Sequence, residues 1–192
     1  MLTKEQIEKI FIDSEALMNG HFRLTSGRHS GQYMQCAKVL MIPKYTAALC
    51  GHIANYYKEE QIDMVIGPAT GGIILSYEMA SQLDVPSIFT ERVDGKMVLR
   101  RNFEIKPGQR VLVMEDVVTT GGSVVEVINL VKAQGGIVVG VGLLVDRSNG
   151  TVDLGVKTVA CLTMNVISYE AEECPLCKDC IPIVKPGSRV VK

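Results

Sequence analysis

Apolar and polar positions along the chain form blocks that predict strands followed by helices. Five short apolar runs are bounded by glycine-rich or polar loops. Two of those loops lead into predicted helices: one follows the loop 67–72 and runs to about Gln82, and the other is 123–134. The predicted strands are 64–66, 86–90, 111–114, 138–145 and 159–162. Strands that alternate with helices indicate an α/β fold, with a mostly parallel sheet covered by helices on both faces.

The N-terminal part follows another pattern. Thr3 to Gln6 has the spacing of a capping box, and apolar residues at helical spacing through Leu17 predict a helix that ends at Asn19-Gly20. Residues 21–34 predict short extended segments, broken at Ser26-Gly27 and at Ser30-Gly31.

Two further elements are predicted between the N-terminal part and the strand at 111–114. Pro43 predicts the start of a second helix, which runs to about Glu59. Asp94-Gly95 predicts a hairpin turn between Arg92 and Arg101.

Composition narrows the class of protein. Of 192 residues 47% are hydrophobic, which excludes a disordered chain, and the net charge is −1, which argues against general nucleic-acid binding. No apolar run reaches the roughly 20 residues of a membrane span, and the N-terminus lacks a signal pattern. The six scattered cysteines fit a reducing compartment. We therefore expect one cytoplasmic domain that contacts neither nucleic acid nor membrane.

The run from Val111 to Ser123 carries the most specific chemistry. A buried strand ends in two acids, Glu115 and Asp116, and a small-residue loop then opens a helix. Unpaired amides at a helix N-terminus favour an anion such as a phosphate, while the carboxylates suit vicinal hydroxyls or a metal ion. Together these groups predict a site for a sugar phosphate at the carboxyl edge of the sheet.

The same run resembles the signature of type I phosphoribosyltransferases, which bind 5-phosphoribosyl diphosphate (PRPP). The resemblance implies that Glu115 and Asp116 hold the ribose hydroxyls and that the following loop wraps the 5′-phosphate. The PRPP-binding residues implied in this run are Glu115, Asp116, Val117, Val118, Thr119, Thr120, Gly121, Gly122 and Ser123. It also implies the fold of that family: a central sheet flanked by helices, with a core at about 41–164 and a small hood from about 1–40 and 165–192.

Other segments resemble the orotate phosphoribosyltransferases within that family. The segment 21–30 is similar to their N-terminal F-x-L-x-S-G-x-x-S segment, and Asp146-Arg147 is similar to their strand-end pair, whose arginine meets the base. A guanidinium suits the carboxylate of orotate. The resemblance implies that Thr119 and Arg147 bind orotate together with Tyr33 and Met34, although core packing is an equal alternative for Tyr33 and Met34.

The groups that would hold the diphosphate depart from the family pattern. The loop 67–72 resembles the diphosphate-binding loop and implies PRPP contacts at Thr70 and Gly71, where many members have Tyr-Lys; many also have lysine at the position of Thr25. The loop equivalent to the family's catalytic loop is short and lacks histidine. Its cations Arg92 and Lys96 are implied as catalytic and PRPP-binding, and the open alternatives are Arg100 and Arg101.

The resemblance further implies Mg²⁺ as cofactor, carried mainly by PRPP and water rather than by protein ligands, and a homodimer whose subunits share their sites. Transfer to another base, and a PRPP-sensing regulator of the same fold, stay open as alternatives. Cys174-x-x-Cys177-x-x-Cys180 invites a zinc interpretation, but the sequence shows no fourth ligand. The histidines lack ligand spacing, so we expect structural cysteines and histidines at the surface or in packing.

Overall fold

The computed structural model describes residues 1–24 and 26–186, and these form two sheets with helices around the larger one. The helices are α1 (Lys4–Asp13), α2 (Ala37–Leu40), α3 (Pro43–Ala54), α4 (Gly71–Leu83), α5 (Gly122–Ala133) and α6 (Pro175–Lys178). The strands are β1 (Leu17–Arg23), β2 (His29–Met34), β3 (Met64–Pro68), β4 (Ser87–Val93), β5 (Lys96–Leu99), β6 (Arg110–Val118), β7 (Ile137–Asp146), β8 (Thr158–Thr163) and β9 (Ser168–Tyr169).

The larger sheet has the order β5-β4-β3-β6-β7-β8, and all neighbours are parallel except the β4–β5 hairpin. Alternate residues of β6 face opposite sides, as the pleat of a strand requires. Leu112 and Met114 pack into a core that includes α1, α3 and α4, whereas Val111 and Val113 pack into a second core that includes α5. The α/β prediction with both faces covered is therefore confirmed.

The smaller sheet joins the two ends of the chain. Its order is β1-β2-β9, antiparallel throughout, so a C-terminal strand pairs with an N-terminal hairpin. Arg28 donates hydrogen bonds to the Ser168 hydroxyl and carbonyl at 2.9 and 2.7 Å and pairs with Glu170, and the Ser30 hydroxyl donates to the Ile167 carbonyl at 2.9 Å. Polar side chains of the β1–β2 hairpin therefore hold the C-terminal residues 167–170 against that hairpin.

Two local predictions within the first 34 residues are wrong. The capping box forms as predicted, but α1 ends at Asp13, because Glu15 takes a positive φ of 52° and turns the chain into β1. Asn19-Gly20 therefore lies inside a strand. Ser30-Gly31 does not interrupt β2, since Ser30 pairs with Phe22 on one side and with Ser168 on the other.

The second helix also ends before its predicted limit. It starts at Pro43 but ends at Ala54, and Tyr57 then turns fully into the core. The Tyr57 hydroxyl donates to the carbonyls of Val141 and Lys157, at 2.9 and 3.0 Å. Burial of this ring, with its hydroxyl paired, explains why the helix does not continue to Glu59.

The histidines and the cysteine tail meet in a way that spacing along the chain does not reveal. His21 and His29 face each other across the β1–β2 hairpin, both buried, and Cys174 and Cys177 pack against them. The structure therefore brings two histidines beside two of these cysteines, which the sequence did not indicate. His52 is buried on α3 and accepts a hydrogen bond from the Leu2 amide at 3.2 Å, in agreement with a packing role. Among the described residues no helix is long and apolar enough to cross a membrane.

Candidate active site

The acidic pair lies within β6, at the point where this strand extends beyond its neighbour. The last β3–β6 pair is Ile66 with Val113, so Glu115 and Asp116 lie beyond the part of β6 that pairs with β3, whereas Glu115 still pairs with β7. Glu115 is only 8% exposed, and its Oε1 accepts a hydrogen bond from the Asp116 amide at 3.0 Å. Both acids therefore reach the carboxyl edge of the sheet while remaining largely shielded from solvent.

Burial sets the protonation of this pair. Together with the nearby charge of Asp116, it raises the pKa of Glu115 to about 9. Burial also raises the pKa of Asp116, although hydrogen bonds to its carboxylate oppose the shift. Adjacent carboxyls in a shielded place are not fully ionised near neutral pH, so a ligand that donates hydrogen bonds or brings positive charge favours their ionised form.

The loop after the acids encloses a polar cavity of about 250 Å³, lined by residues 117–124 together with Glu115 and Glu126. Gly121 precedes α5 with a φ of +79°, and a Cβ there would lie 2.8 Å from a Val152 methyl. Only glycine suits both conditions. The predicted phosphate-loop residues are thus brought together around the N-terminus of a helix, where amides are free for an anion.

A second glycine loop approaches from β3. A Cβ on Gly67 would lie 2.3 Å from the Gly72 carbonyl oxygen, so the two backbones touch. A Cβ on Gly71 would lie 2.4 Å from Oδ2 of Asp116, which places the start of α4 directly against the acidic pair. Thr70 is exposed beside it. The N-terminus of α4 therefore lies against Asp116, and the N-terminus of α5 lines the cavity that Glu115 also borders. Thr25, the other position where a lysine is common, lies outside the described residues.

Arg147 follows β7 and holds an unpartnered buried donor. Its amide donates to the Val118 carbonyl at 2.8 Å, which ties it to the phosphate loop, while its Nε is buried with no hydrogen-bond partner among the described residues. Burial lowers the pKa of the guanidinium, and the nearby Tyr33 and Cys36 partly counteract this. A buried donor without a partner is costly, so this arrangement suits an anionic ligand.

The loop that carries Arg147 is organised by a residue to which the sequence assigned no role of its own. Asp146 is buried and accepts hydrogen bonds from the amide and hydroxyl of Ser148, at 2.8 and 2.6 Å, and from the Gly150 amide at 2.9 Å. An aspartate two positions before serine and four before glycine is a turn signal that could have identified it. Asp146 therefore fixes the loop that carries Arg147.

Tyr33 and Met34 have different environments. Tyr33 is half-buried, packs on Phe22 with ring centroids 5.8 Å apart, and is close enough to Arg147 to influence its pKa. Met34 is 5% exposed and belongs to the core with α1 and α3. The position of Met34 favours the packing alternative for its side chain, and the orotate contacts of Tyr33 and Met34 both stay predictions.

The cationic hairpin forms as predicted, with Asp94-Gly95 at its tip, but its cations are unequal. The Arg92 guanidinium donates to both oxygens of Glu126, at 2.9 and 3.2 Å, and Glu126 also accepts from the Met97 amide at 3.1 Å. Lys96 is exposed at the start of β5. Arg92 thus lies beside the phosphate cavity in an ion pair, and Lys96 extends from the hairpin.

Sequence reasoning missed Glu126. This residue lies one helical turn after Gly122 and so on the same face of α5, and that spacing is the signal that could have identified it.

The two alternative cations of the hairpin, Arg100 and Arg101, both contact Glu91. Arg101 donates to Glu91 at 2.6 Å and stacks over Phe89, and Arg100 lies 3.6 Å from the same carboxylate. These two arginines are thereby occupied on the hairpin.

The sites for the two predicted ligands lie close together. The charges of Asp116, Arg147 and Glu115 all act on the buried Cys36 thiol, whose pKa burial raises well above its usual range. The Cys36 thiol also donates to the Asp116 carbonyl at 3.7 Å. Glu115, Asp116 and Arg147 therefore lie around one region at the edge of the sheet.

Comparison with known proteins identifies this arrangement. The family described as the phosphoribosyl transferase domain matches residues 38–173, which is more than half of the chain. The chain is 56% identical to the orotate phosphoribosyltransferase of Desulforamulus reducens over 190 residues, covering 99% of this chain and all of that protein. It is 57% identical to that of Pelotomaculum thermopropionicum, with the same coverage.

A solved structure shows the same fold. The crystal structure of orotate phosphoribosyltransferase from Aeropyrum pernix superposes with a TM-score of 0.71 at 26% identity, over 82% of this chain and 93% of that one. The mostly parallel sheet flanked by helices that the signature implied is thereby confirmed.

Proposed function

The chain belongs to the phosphoribosyl transferase family and, within it, to the orotate phosphoribosyltransferases, and we propose that it transfers the 5-phosphoribosyl group of PRPP to orotate. The products are orotidine 5′-monophosphate and diphosphate, a step of pyrimidine biosynthesis. The observation that carries the proposal is the shared edge of β6 and β7. Buried carboxylates and a helix N-terminus suit the donor, and the unpartnered Arg147 suits an acidic base.

The reaction needs little covalent chemistry from the protein. N1 of orotate attacks the anomeric carbon of the ribose as diphosphate leaves, so positive charge develops on the ring and negative charge on the leaving group. The carboxylates of Glu115 and Asp116 would hold the ribose hydroxyls and stabilise the cationic ring. The amides of 119–123 would hold the 5′-phosphate, so that the ring carbon and N1 are aligned.

Arg147 would orient the base. Its guanidinium offers a planar pair of donors to the orotate carboxylate, and such a pair fixes the angle of the ring as well as its position. Tyr33 lies near this cation and would border the base. Asp146 holds the loop in place through its three hydrogen bonds, so Arg147 requires no rearrangement before binding.

The hairpin cations would act on the leaving group. Lys96 and Arg92 lie on a hairpin whose Arg92 is linked to the wall of the phosphate cavity through Glu126. Arg92 would exchange its carboxylate partner for diphosphate oxygens on binding, and closure of the hairpin would exclude water that could hydrolyse PRPP.

We include Mg²⁺ in the proposal because the donor set fits it. Mg²⁺ prefers oxygen ligands and keeps several of its waters, and the acidic pair offers carboxylate oxygens at the edge of the cavity. Glu115 and Asp116 would hold the ion mainly through the hydroxyls of PRPP and through water. When bound, Mg²⁺ would neutralise the charge of the diphosphate.

A homodimer is part of the proposal. Ile74 and Tyr77 lie one turn apart on α4 and are 44% and 71% exposed, so the helix that begins at the acidic pair presents apolar side chains to solvent. Light scattering would give the mass in solution, and a monomeric mass at micromolar concentration would contradict the dimer.

The proposal also places the protein in a reducing compartment. None of the six cysteines forms a disulfide, which favours the cytoplasm.

One assay tests the function directly. The protein is mixed with PRPP and Mg²⁺ and offered orotate, uracil, adenine and hypoxanthine in parallel, with diphosphate release as the common readout. We expect orotate alone to be consumed, as followed by the decrease in its ultraviolet absorbance. Consumption of another base in its place would refute the assignment.

A further inference from the structure

A cluster of four potential metal ligands lies away from the acidic pair, in the smaller sheet. His21 and His29 come from the β1–β2 hairpin. Cys174 directly precedes α6, and Cys177 lies within it. Their ligand atoms all lie within 4.8 Å of one another. His21, His29 and Cys174 are buried, and Cys177 closes the cluster toward solvent.

The distances agree with a tetrahedral zinc site. Bonds of ~2.0–2.1 Å to nitrogen and ~2.3 Å to sulfur place two nitrogens ~3.3 Å apart and a nitrogen and a sulfur ~3.6 Å apart. Here Nε2 of His21 is 3.1 Å from Nδ1 of His29. The Cys174 and Cys177 sulfurs are 3.5 and 3.7 Å from that Nε2, and the Cys177 sulfur is 3.3 Å from His29 Nδ1.

The outer contact of His21 prepares its ring for metal binding. Its Nδ1 lies 2.7 Å from the Ile181 carbonyl oxygen, to which only a protonated Nδ1 can donate. The neutral ring then presents the lone pair of Nε2 to the cluster. Metal-binding histidines commonly have such a carbonyl partner, which fixes both the tautomer and the orientation of the ring.

Hydrogen bonds alone leave this cluster unsatisfied. If His29 donates from Nδ1, it occupies the single lone pair of His21 Nε2, and the two thiols can then pair only with each other, so one thiol proton lacks an acceptor within the cluster. If Nδ1 of His29 is unprotonated, two lone pairs oppose each other at 3.1 Å. A central cation removes the conflict because both nitrogens and both thiolates bind it.

We propose that His21, His29, Cys174 and Cys177 bind one zinc ion. The site has four protein ligands, which is typical of structural rather than catalytic zinc. Two ligands belong to the N-terminal hairpin and two to the C-terminal tail, 153 positions apart for His21 and Cys174. The ion therefore fastens the tail onto the hairpin, beside the backbone contacts between Arg23 and Val184 and between Val184 and His21.

Metal content gives the first test. The full-length chain, without an affinity tag, is purified without chelator and analysed by elemental mass spectrometry. We expect about one zinc per chain in the wild type and in Cys180→Ser, because Cys180 is exposed and outside the cluster. We expect at least a tenfold lower content in Cys177→Ser. A wild type without stoichiometric zinc overturns the proposal, as does a Cys177→Ser variant that retains it.

Thiol reactivity tests the same site in the unmodified protein. Cys177 and Cys180 are both exposed, so without a metal both react with a thiol reagent. With zinc bound, only Cys180 reacts rapidly, and a strong chelator then exposes Cys177 and lowers the melting temperature. Peptide mapping distinguishes the two residues. Rapid reaction of Cys177 before chelation, or no change in melting temperature after it, contradicts the site even if a cysteine variant fails to fold.

Discussion

The acidic edge of the larger sheet and the histidine–cysteine cluster of the smaller sheet are assembled in different ways. The acids and the phosphate loop are consecutive residues on β6 and at the start of α5, so one strand-to-helix connection forms the donor side of the site. The cluster takes two side chains from each end of the chain. A local motif keeps its geometry wherever its strand is supported, whereas the cluster exists only once both ends are folded together.

These differences separate catalytic from structural consequences. Changes at the edge of the larger sheet should alter turnover or ligand affinity with little loss of stability, because the groups there are expected to contact a ligand rather than to stabilise the fold. Changes at the cluster should alter stability. The following variants test that separation, beginning with the largest expected effect.

Asp116→Asn should lower kcat/KM by roughly 10²–10³-fold, the range seen when one electrostatic contact to a transition state is removed. The substitution leaves the side-chain volume nearly unchanged and removes a shielded charge that lies beside Gly71, so the melting temperature should not fall. Steady-state kinetics and thermal melts measure both. Asp13→Asn, an exposed change on α1, is the control. Kinetics like those of the wild type would remove Asp116 from the site.

Arg147→Ala should raise KM for orotate by about 10–10²-fold and leave KM for PRPP nearly unchanged, since a hydrogen bond to a charged group contributes ~1.5–3 kcal/mol. Arg147→Lys keeps the charge without the planar pair of donors and should give an intermediate value. Arg147→Ala should melt no lower than the wild type, because a buried donor without a partner is removed. Equal losses for both substrates would show that Arg147 does not select the base.

Lys96→Ala and Arg92→Ala should each lower kcat by about tenfold, which corresponds to ~1.4 kcal/mol and lies within the ~1–4 kcal/mol expected for charges a few ångströms apart near a surface. Arg100→Ala and Arg101→Ala are the matched controls and should have little effect, since Glu91 holds both arginines. The reverse result would transfer the catalytic role to Arg100 or Arg101.

Glu115→Gln should raise the melting temperature by a few degrees at alkaline pH, since ~1 kcal/mol corresponds to ~2–4 °C in a chain of this size. The folded state raises the pKa of Glu115 from 4.5 to about 9, so the native protein binds the extra proton and loses stability as pH rises through this window. The glutamine variant does not titrate, and its advantage should therefore grow from about pH 5 to pH 9.

Melting curves across this range check that prediction. Glu59→Gln, at an exposed position, is the control measured beside it. A Glu115→Gln variant that loses stability relative to the wild type as pH increases would mean that the carboxyl is ionised in the folded protein.

The same contrast explains what the sequence could predict. The strands, the hairpin at Asp94-Gly95 and the loop 115–123 follow from local patterns, because each depends on neighbours along the chain. The early end of α3 depends on Tyr57 reaching the distant carbonyls of Val141 and Lys157. No local pattern contains that contact.

The histidines show the limit most clearly. His21 and His29 have no ligand spacing, and each acquires its partners only when the C-terminal tail reaches the hairpin. The role of Arg147 is implied by the resemblance of Asp146-Arg147 to a strand-end pair of the family, but the buried Nε without a partner among the described residues is visible only in three dimensions. Glu126 was missed because its function as a partner of Arg92 depends on the packing of a hairpin against α5.

The shielded position of Glu115 also connects ligand binding to the surrounding buffer. A carboxyl that retains its proton up to about pH 9 must release it when a ligand requires the carboxylate. Association near neutral pH then adds a proton to the buffer, so the measured heat will depend on the ionisation enthalpy of the buffer chosen. The apparent affinity for that ligand will increase with pH across the same interval. Calorimetry in buffers of different ionisation enthalpy will therefore detect the proton released on binding, without any turnover.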